Sequence, residues 1–401
     1  MPAGPRLKQL KQPLAIAMWD FSWLLRHHRL GAFAGWDKTL DALVLRGYDA
    51  IRIDCFPHLV SEDNDGMVTQ EYYHPKNAFG LTLWGNEFSV STRPREALLE
   101  FLPKCQERGI SVGLSTWFND HNTGRTGTFA GEDSLVRAWD ETLKFLDGHR
   151  LLRNVVYVDV LNEYPLWHGY EWLTKQLAAL ADNPKEESET VGGHEQKVLQ
   201  GRLTGRKYNS RQILFYNRFI SNVIAKLKAK WPSMVFFASL SKAFDVPWQD
   251  MDLGQFSALD LHIWFVHNCD FSLETQYFRD IHPHVNDLAF ARCFSKLMSY
   301  WRNHRRKLVN WMAEEMRQVA ARGKKLGIPV GSTEGWGAIC WMDHPDLTWD
   351  FVKESGSICV DLAVKNGYSF ICTSNFTHPQ FPGVWNDIAW HKRLTSRIKN
   401  G

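Results

Sequence analysis

The sequence predicts an α/β fold, a (β/α)8 TIM barrel with long loops on its catalytic face, and three observations lead there. Eight short β-rich runs alternate with longer helical patterns, the signature of parallel strands joined by crossover helices. Several helices close on a glycine followed at once by the next strand, as in Arg108-Gly109-Ile110 and Leu326-Gly327-Ile328, where glycine supplies the left-handed cap. The long polar insertions follow strands, at Cys55–Thr92, Phe118–Glu132 and Phe265–Asn286, and in a barrel all of these rise from one face.

Strand one is the apolar run Leu14–Trp19, stopped by Asp20. Helix Trp36–Arg46 ends at Gly47 and leads to strand two, Ala50–Asp54, which reads Ala-Ile-Arg-Ile-Asp. Helix Arg95–Arg108 leads to strand three, Ser111–Trp117, and helix Asp133–Asp147 to strand four, Val155–Leu161, rich in β-branched residues. Helix Gln212–Lys230 precedes strand five, Val235–Leu240. The link from there to strand six, Ala258–Trp264, is the weakest, because Lys242–Gln255 is turn-rich. Helices Asp287–Arg322 and Thr348–Lys365 precede strands seven, Pro329–Thr333, and eight, Ser369–Thr373, and Asp387–Ile398 is the last helix.

At about 150 residues per domain, a chain of 401 residues suggests two or three domains. No Pro/Ser-rich linker or fixed repeat divides it, so one elaborated domain over 1–401 is expected. The stretch 182–207, with ten charged residues among 26 and no aromatic, is expected to be a mobile surface insertion within it. Hydrophobic residues at 44% and charged ones at 23% fit a globular core and exclude collagen-like, coiled-coil and wholly disordered chains.

The net charge of +3 is too small for general attraction to nucleic acid or an anionic membrane. The basic run Arg302, Arg305, Arg306 and Lys307 reads as a solvated helix face, since Leu297, Trp301, Leu308, Trp311 and Met312 form an apolar stripe beside it. No apolar run approaches the ~18 residues that span a bilayer, and a cytoplasmic location is expected. Seven scattered cysteines without a C-x-x-C pair read as free buried thiols. The 18 tryptophans, several beside Asp, Asn, His or Gly, serve the core individually but as a set tilt toward a flat, polar-edged ligand.

Strand four runs into Asn162-Glu163-Tyr164-Pro165, and strand seven ends at Glu334-Gly335-Trp336-Gly337. In an eight-stranded barrel these strands face one another, so the two glutamates can converge over the opening. Paired carboxylates suit glycoside cleavage, one donating a proton to the leaving oxygen and the other facing the anomeric carbon. Two other classes compete. Glu163, His262, Glu334 and Asp54 could gather a divalent cation in a metal-dependent sugar isomerase or hydrolase, or the barrel could bind sugar without turnover.

These residues resemble the clan A glycoside hydrolases, whose barrels carry Asn-Glu after strand four and Glu after strand seven. The resemblance implies Glu163 as general acid/base, Asn162 as the neighbour that binds the sugar 2-hydroxyl, Glu334 as nucleophile, and Arg52 as the arginine supporting it. It implies a retaining hydrolase of β-glycosidic bonds with a carbohydrate substrate and no cofactor or metal. Arg52 is expected to keep Glu334 ionised, and a drier setting to leave the proton on Glu163. More narrowly, Met18-Trp19-Asp20-Phe21-Ser22-Trp23, the Gly47–Asp54 run and Gly113-Leu114-Ser115-Thr116-Trp117-Phe118 resemble the cellulase-like proteins near family five.

Three positions depart from family five itself. Its His-x-Tyr is His262-Ile263-Trp264 here, so an indole N–H is expected where a tyrosine hydroxyl would meet the nucleophile. Trp117 takes the strand-three histidine position. Thr373-Ser374-Asn375-Phe376 replaces the strand-eight tryptophan. His58, Trp117, Asn119, His262, Trp264, Trp336 and Asn375, with Trp19 and Asp20, lie at or just past strand ends and are the candidate sugar contacts.

Overall fold

A computed structural model describes residues 10, 12–63, 65–75, 88–120, 123–166, 168–182, 208–242, 248–277, 287–337 and 348–401, the side chains of 287–293 excepted. Eight strand positions follow the chain: β1 (Leu14–Asp20), β2 (Ala50–Asp54), β3 (Ser111–Ser115), β4 (Val155–Asp159), β5 in two pieces (Phe236–Phe237 and Leu240–Ser241), β6 (Leu259–Trp264), β7 in two pieces (Val330–Ser332 and Gly335–Trp336) and β8 (Phe370–Cys372). Neighbours pair in parallel from β1 to β4. β4 pairs with the first piece of β5, and the second piece pairs with β6. β6 pairs with β7, β7 with β8, and β8 with β1, which closes the (β/α)8 barrel.

Helices α1 (Trp36–Leu45), α2 (Pro94–Glu107), α3 (Gly131–Gly148), α4 (Ser210–Lys230), α5 (Asp287–Leu326), α6 (Asp350–Lys365) and α7 (Ile388–Asn400) occupy the expected positions. The described part of the weak β5–β6 link holds only a 3₁₀ turn, Trp248–Asp250. Gly109 at φ 67° and Gly367 at φ 71° cap α2 and α6 in the left-handed region, as their placement before strands implies. On α5, Trp301 and Leu308 are buried and Arg302, Arg305, Arg306 and Lys307 face solvent, with Arg305 paired to Glu354 at 2.7 Å and Lys307 to Asp270 at 2.6 Å.

Strands five and seven were expected to be continuous, and each breaks where a backbone N–H leaves the ladder for a buried carboxylate. Ser239 N–H donates to Asp159 Oδ1 at 2.7 Å, and Thr333 N–H to Asp260 Oδ1 at 3.0 Å. Below the mouth the barrel is filled by aromatic rings from β4, β5 and β8. Tyr157 lies 5.0 Å from Phe237 and 6.0 Å from Phe370 between centroids. Gly113 and Gly331 make room for them, since a Cβ at either would come within 2.0 Å of Tyr157 or 2.3 Å of Phe370.

Beyond Asp182, the stretch 183–207 lies outside the described residues. Cys55, Cys105, Cys359 and Cys372 are free and buried, and Cys269 is exposed. Most described tryptophans are buried, so packing accounts for much of the unusual tryptophan content. Among the described residues no helix is long and apolar enough to cross a membrane.

Candidate active site

The first four strands each end, or are soon followed, by a non-glycine residue in the left-handed region: Asp20 (φ 36°), Phe56 (φ 51°), Phe118 (φ 52°) and Glu163 (φ 44°). Such backbone costs about 1–3 kcal/mol per residue and persists where the surroundings over-determine it. At Glu163 they do. Asn162 N–H donates to Thr116 O at 2.8 Å, Glu163 N–H to Ser239 Oγ at 3.0 Å, and Tyr164 N–H to Ser239 O at 2.8 Å. Asp159 receives the Ser115 and Ser239 hydroxyls, each at 2.8 Å, so one buried carboxylate braces β3, β4 and β5 beneath Glu163.

Glu334 is fixed in the same manner from β7. Its carbonyl accepts the Ser332 hydroxyl at 2.8 Å, and the following Gly335 N–H donates to Asn375 Oδ1 at 2.7 Å. Its carboxylate meets Arg52 Nη1 at 3.3 Å and His262 Nδ1 at 3.5 Å, and the same Nδ1 lies 3.2 Å from Glu163 Oε1. One ligand atom each from Glu163, His262 and Glu334 all lie within 4.8 Å of one another. Arg52 also donates to Thr333 Oγ1 at 3.0 Å and to Asn162 Oδ1. Thr333 in turn donates to Asp260 Oδ2 at 2.6 Å.

All these groups are nearly sealed, with Glu163 6% exposed, Glu334 2%, and Arg52 and His262 0%. Burial opposes charge on His262, yet Glu334 and Asp260, with bonds from Asp260 and Glu163, outweigh it and push the imidazole up to about 10. As an imidazolium it is a fixed cation between three carboxylates, and the 3.3 Å approach of Arg52 Nη1 to its Nε2 is then a contact of two cations rather than a hydrogen bond. Burial and the field of Glu163 push the Glu334 carboxyl up to about 8 against the pull of His262 and Arg52. Arg52, expected to keep Glu334 ionised, draws its carboxyl down but is outweighed by burial and the field of Glu163.

Through Glu334 the stability of the fold depends on pH. Between the ordinary 4.5 and about 8 the folded carboxyl keeps a proton that the unfolded chain has released, so stability falls as pH rises through this window. Glu334→Gln lacks this cost. The variant is expected to unfold at higher urea concentration than wild type at pH 8.5, with the difference vanishing toward pH 4.5.

The other expected contacts divide by direction. Asn162, Asn119 and Asn375 lie at the mouth, and the Nδ2 of each is buried without a hydrogen-bond partner among the described residues. Trp117, 8% exposed, donates its indole N–H to Asp20 Oδ2 at 2.6 Å. Trp19 and Trp336 turn into the protein, their indoles donating to Thr377 O and Cys372 O, both at 3.1 Å. His58 is fully buried against Phe118, 4.7 Å between ring centroids, and burial lowers it to about 3. Trp264 ends β6, 2% exposed, in register with Trp336. Among the described residues no hydrogen bond joins its indole to Glu334, whose partners are Arg52 and His262.

Asp54, considered as a cation ligand, instead accepts the N–H groups of Phe56 at 2.7 Å and Trp117 at 2.8 Å, and burial lifts it to about 7. Among the described residues that leaves Glu163, His262 and Glu334 as the set with the spacing for a metal, and a cation there would have to displace the imidazole proton. Sequence reasoning missed Asp159, Asp260, Thr333 and Ser239. For the two aspartates a signal existed, since a charge inside a strand buried on both faces must be paired.

A buried carboxylate pair at the C-terminal mouth of a (β/α)8 barrel is the arrangement of the clan A glycoside hydrolase fold. A family model described as sugar-binding cellulase-like matches residues 16–399, and the chain belongs to this cellulase-like family. Among solved structures, a Parabacteroides distasonis protein classed provisionally as a glycoside hydrolase is 26% identical, with a TM-score of 0.78, over 97% of this chain and 94% of its own. The endo-β-1,4-mannanases of Thermotoga petrophila (11% identity, TM-score 0.53, 99% of this chain and 79% of that one) and Rhizomucor miehei (9%, 0.50, 99% and 97%) share the fold. None of the curated proteins matches the chain.

Proposed function

We propose that the protein is a retaining glycoside hydrolase of β-glycosidic bonds in a glycoside or oligosaccharide, working as one elaborated domain. The observation that carries this reading is the approach of Glu163 and Glu334 around His262, with ligand atoms within 4.8 Å of one another. Retaining enzymes hold their carboxyl groups about 5–5.5 Å apart, whereas inverting ones leave about 6.5–9.5 Å for a water. Glu334 attacks the anomeric carbon while Glu163 gives its proton to the departing oxygen. Glu163 then takes a proton from the water that releases the sugar.

Burial and the field of Glu163 favour a proton on Glu334 near neutrality, and double displacement requires that proton on Glu163 when the bond breaks. Positive charge developing at the anomeric carbon favours the anionic form of the carboxyl facing it, Glu334, so the bound sugar sets the proton on Glu163. The unpartnered Nδ2 groups of Asn162, Asn119 and Asn375 suit sugar hydroxyls, which would satisfy donors otherwise buried at a cost.

The test is turnover of aryl β-glycosides (glucoside, galactoside, mannoside, xyloside, fucoside and glucuronide) by wild type, Glu163→Gln and Glu334→Gln, each with and without EDTA. Activity confined to wild type and indifferent to EDTA is expected. A second reading rests on the same three groups holding a divalent cation, and loss of activity with EDTA would replace the first reading by that one.

A further inference from the structure

Asp20 lies at the end of β1, where the pairing register with β2 shifts between Met18 and Asp20, and its φ of 36° is in the left-handed region. A bulge and a strained residue together re-aim a side chain, and here they turn a carboxylate into the barrel mouth. That carboxylate is 0% exposed. Its Oδ2 accepts the Trp117 indole N–H at 2.6 Å, and its Oδ1 lies 3.3 Å from Arg52 Nε, an ion pair not aligned as a hydrogen bond. Because β2 lies between β1 and β3, the Trp117–Asp20 bond spans the end of the strand that carries Arg52.

We propose that Asp20 is a positioning residue that locks Trp117 across the mouth and fixes the Arg52 guanidinium between itself and Glu334. The proposal rests on the hydrolase reading above and replaces the expectation that Asp20 contacts sugar directly, since both of its oxygens face protein groups. Burial raises the Asp20 carboxyl, while Arg52, the Trp117 bond and His262 draw it down. Around Glu334 the charged groups are Arg52 from β2, His262 from β6, Glu163 after β4 and Asp20 from β1. Without the Asp20 charge, Arg52 keeps Glu334 as its near carboxylate and draws it toward the anionic form.

The experiment compares wild type, Asp20→Asn, Trp117→Phe and the double variant on the aryl glycoside that wild type turns over. Asp20→Asn is expected to lower kcat about 10- to 100-fold with KM within about threefold, as small misplacements of catalytic groups do. Trp117→Phe is expected to lower kcat in the same direction, with the double variant no worse than Asp20→Asn. Independently of turnover, carboxyl-carbon NMR of glutamate-labelled protein follows the resonance lost in Glu334→Gln. Its titration midpoint is expected to fall in Asp20→Asn.

An unmoved midpoint with additive kcat losses overturns the proposal, and Trp117→Phe supplies the same comparison if Asp20→Asn does not fold. Full activity in Glu163→Gln or Glu334→Gln would instead overturn the hydrolase reading, while the NMR titration still judges Asp20.

Discussion

Glu334→Ala is expected to lose activity on an aryl β-glycoside by about 10⁴-fold or more, as removal of a covalent nucleophile does, and added azide is expected to restore turnover with a glycosyl azide of inverted configuration. The truncated side chain leaves room for a small anion on the face of the sugar that Glu334 attacks, so one displacement replaces two. Glu163→Ala removes the proton donor and the later base, a loss of about 10²–10⁴-fold. Here Glu334 still forms the glycosyl-enzyme, azide attacks it on the opposite face, and the product keeps the starting configuration. The stereochemistry of the two azides, read by proton NMR, separates the roles more sharply than rates do. A loss smaller than about tenfold in either variant, or azides of the same configuration from both, would remove the assignment.

Strand order, the crossover helices and the facing positions of Glu163 and Glu334 were legible because a parallel barrel places strand ends by counting. Arg52, standing mid-strand in Ile-Arg-Ile, was legible through the resemblance to the clan A glycoside hydrolases. Side-chain direction beyond a strand end was not, and the left-handed residues show why. Alternation predicts an inward or outward side chain only while the backbone stays extended, and Asp20, Phe56, Phe118 and Glu163 all depart from it where the site begins. Thus Trp19 and Trp336, read as sugar contacts, donate to carbonyls inside the protein, while Asp20 turns onto Arg52. The breaks in β5 and β7 were hidden for a related reason. They depend on Asp159 and Asp260 taking backbone N–H groups from neighbouring strands, and a run such as Val235–Leu240 carries no mark of such a long-range partner.

Arg52→Met is expected to destabilise the protein by about 3–5 kcal/mol at neutral pH, the usual cost of removing one partner from a buried ion pair. Methionine fills similar volume without charge, so the loss measures electrostatics rather than a cavity. The guanidinium approaches Asp20 and Glu334 at 3.3 Å, and burial raises both of their carboxyls even with it present. Removing the cation raises them further. Wild type already keeps the Glu334 proton in the folded state up to about 8, so the added deficit from that group is smallest in acid and opens as pH rises through about 8, where wild type releases the proton and the variant does not. In the activity profile the same change moves the pH at which Glu334 becomes anionic upward. Arg52→Lys keeps the charge but not the fork, and one ammonium cannot serve Asp20, Asn162, Thr333 and Glu334 together, so an intermediate stability with low kcat is expected. Urea unfolding of the three proteins at pH 5 and 9, with kcat followed across pH, is the measurement. A methionine variant as stable as wild type at both pH values, with an unshifted profile, would show that the carboxylates at the mouth do not depend on Arg52.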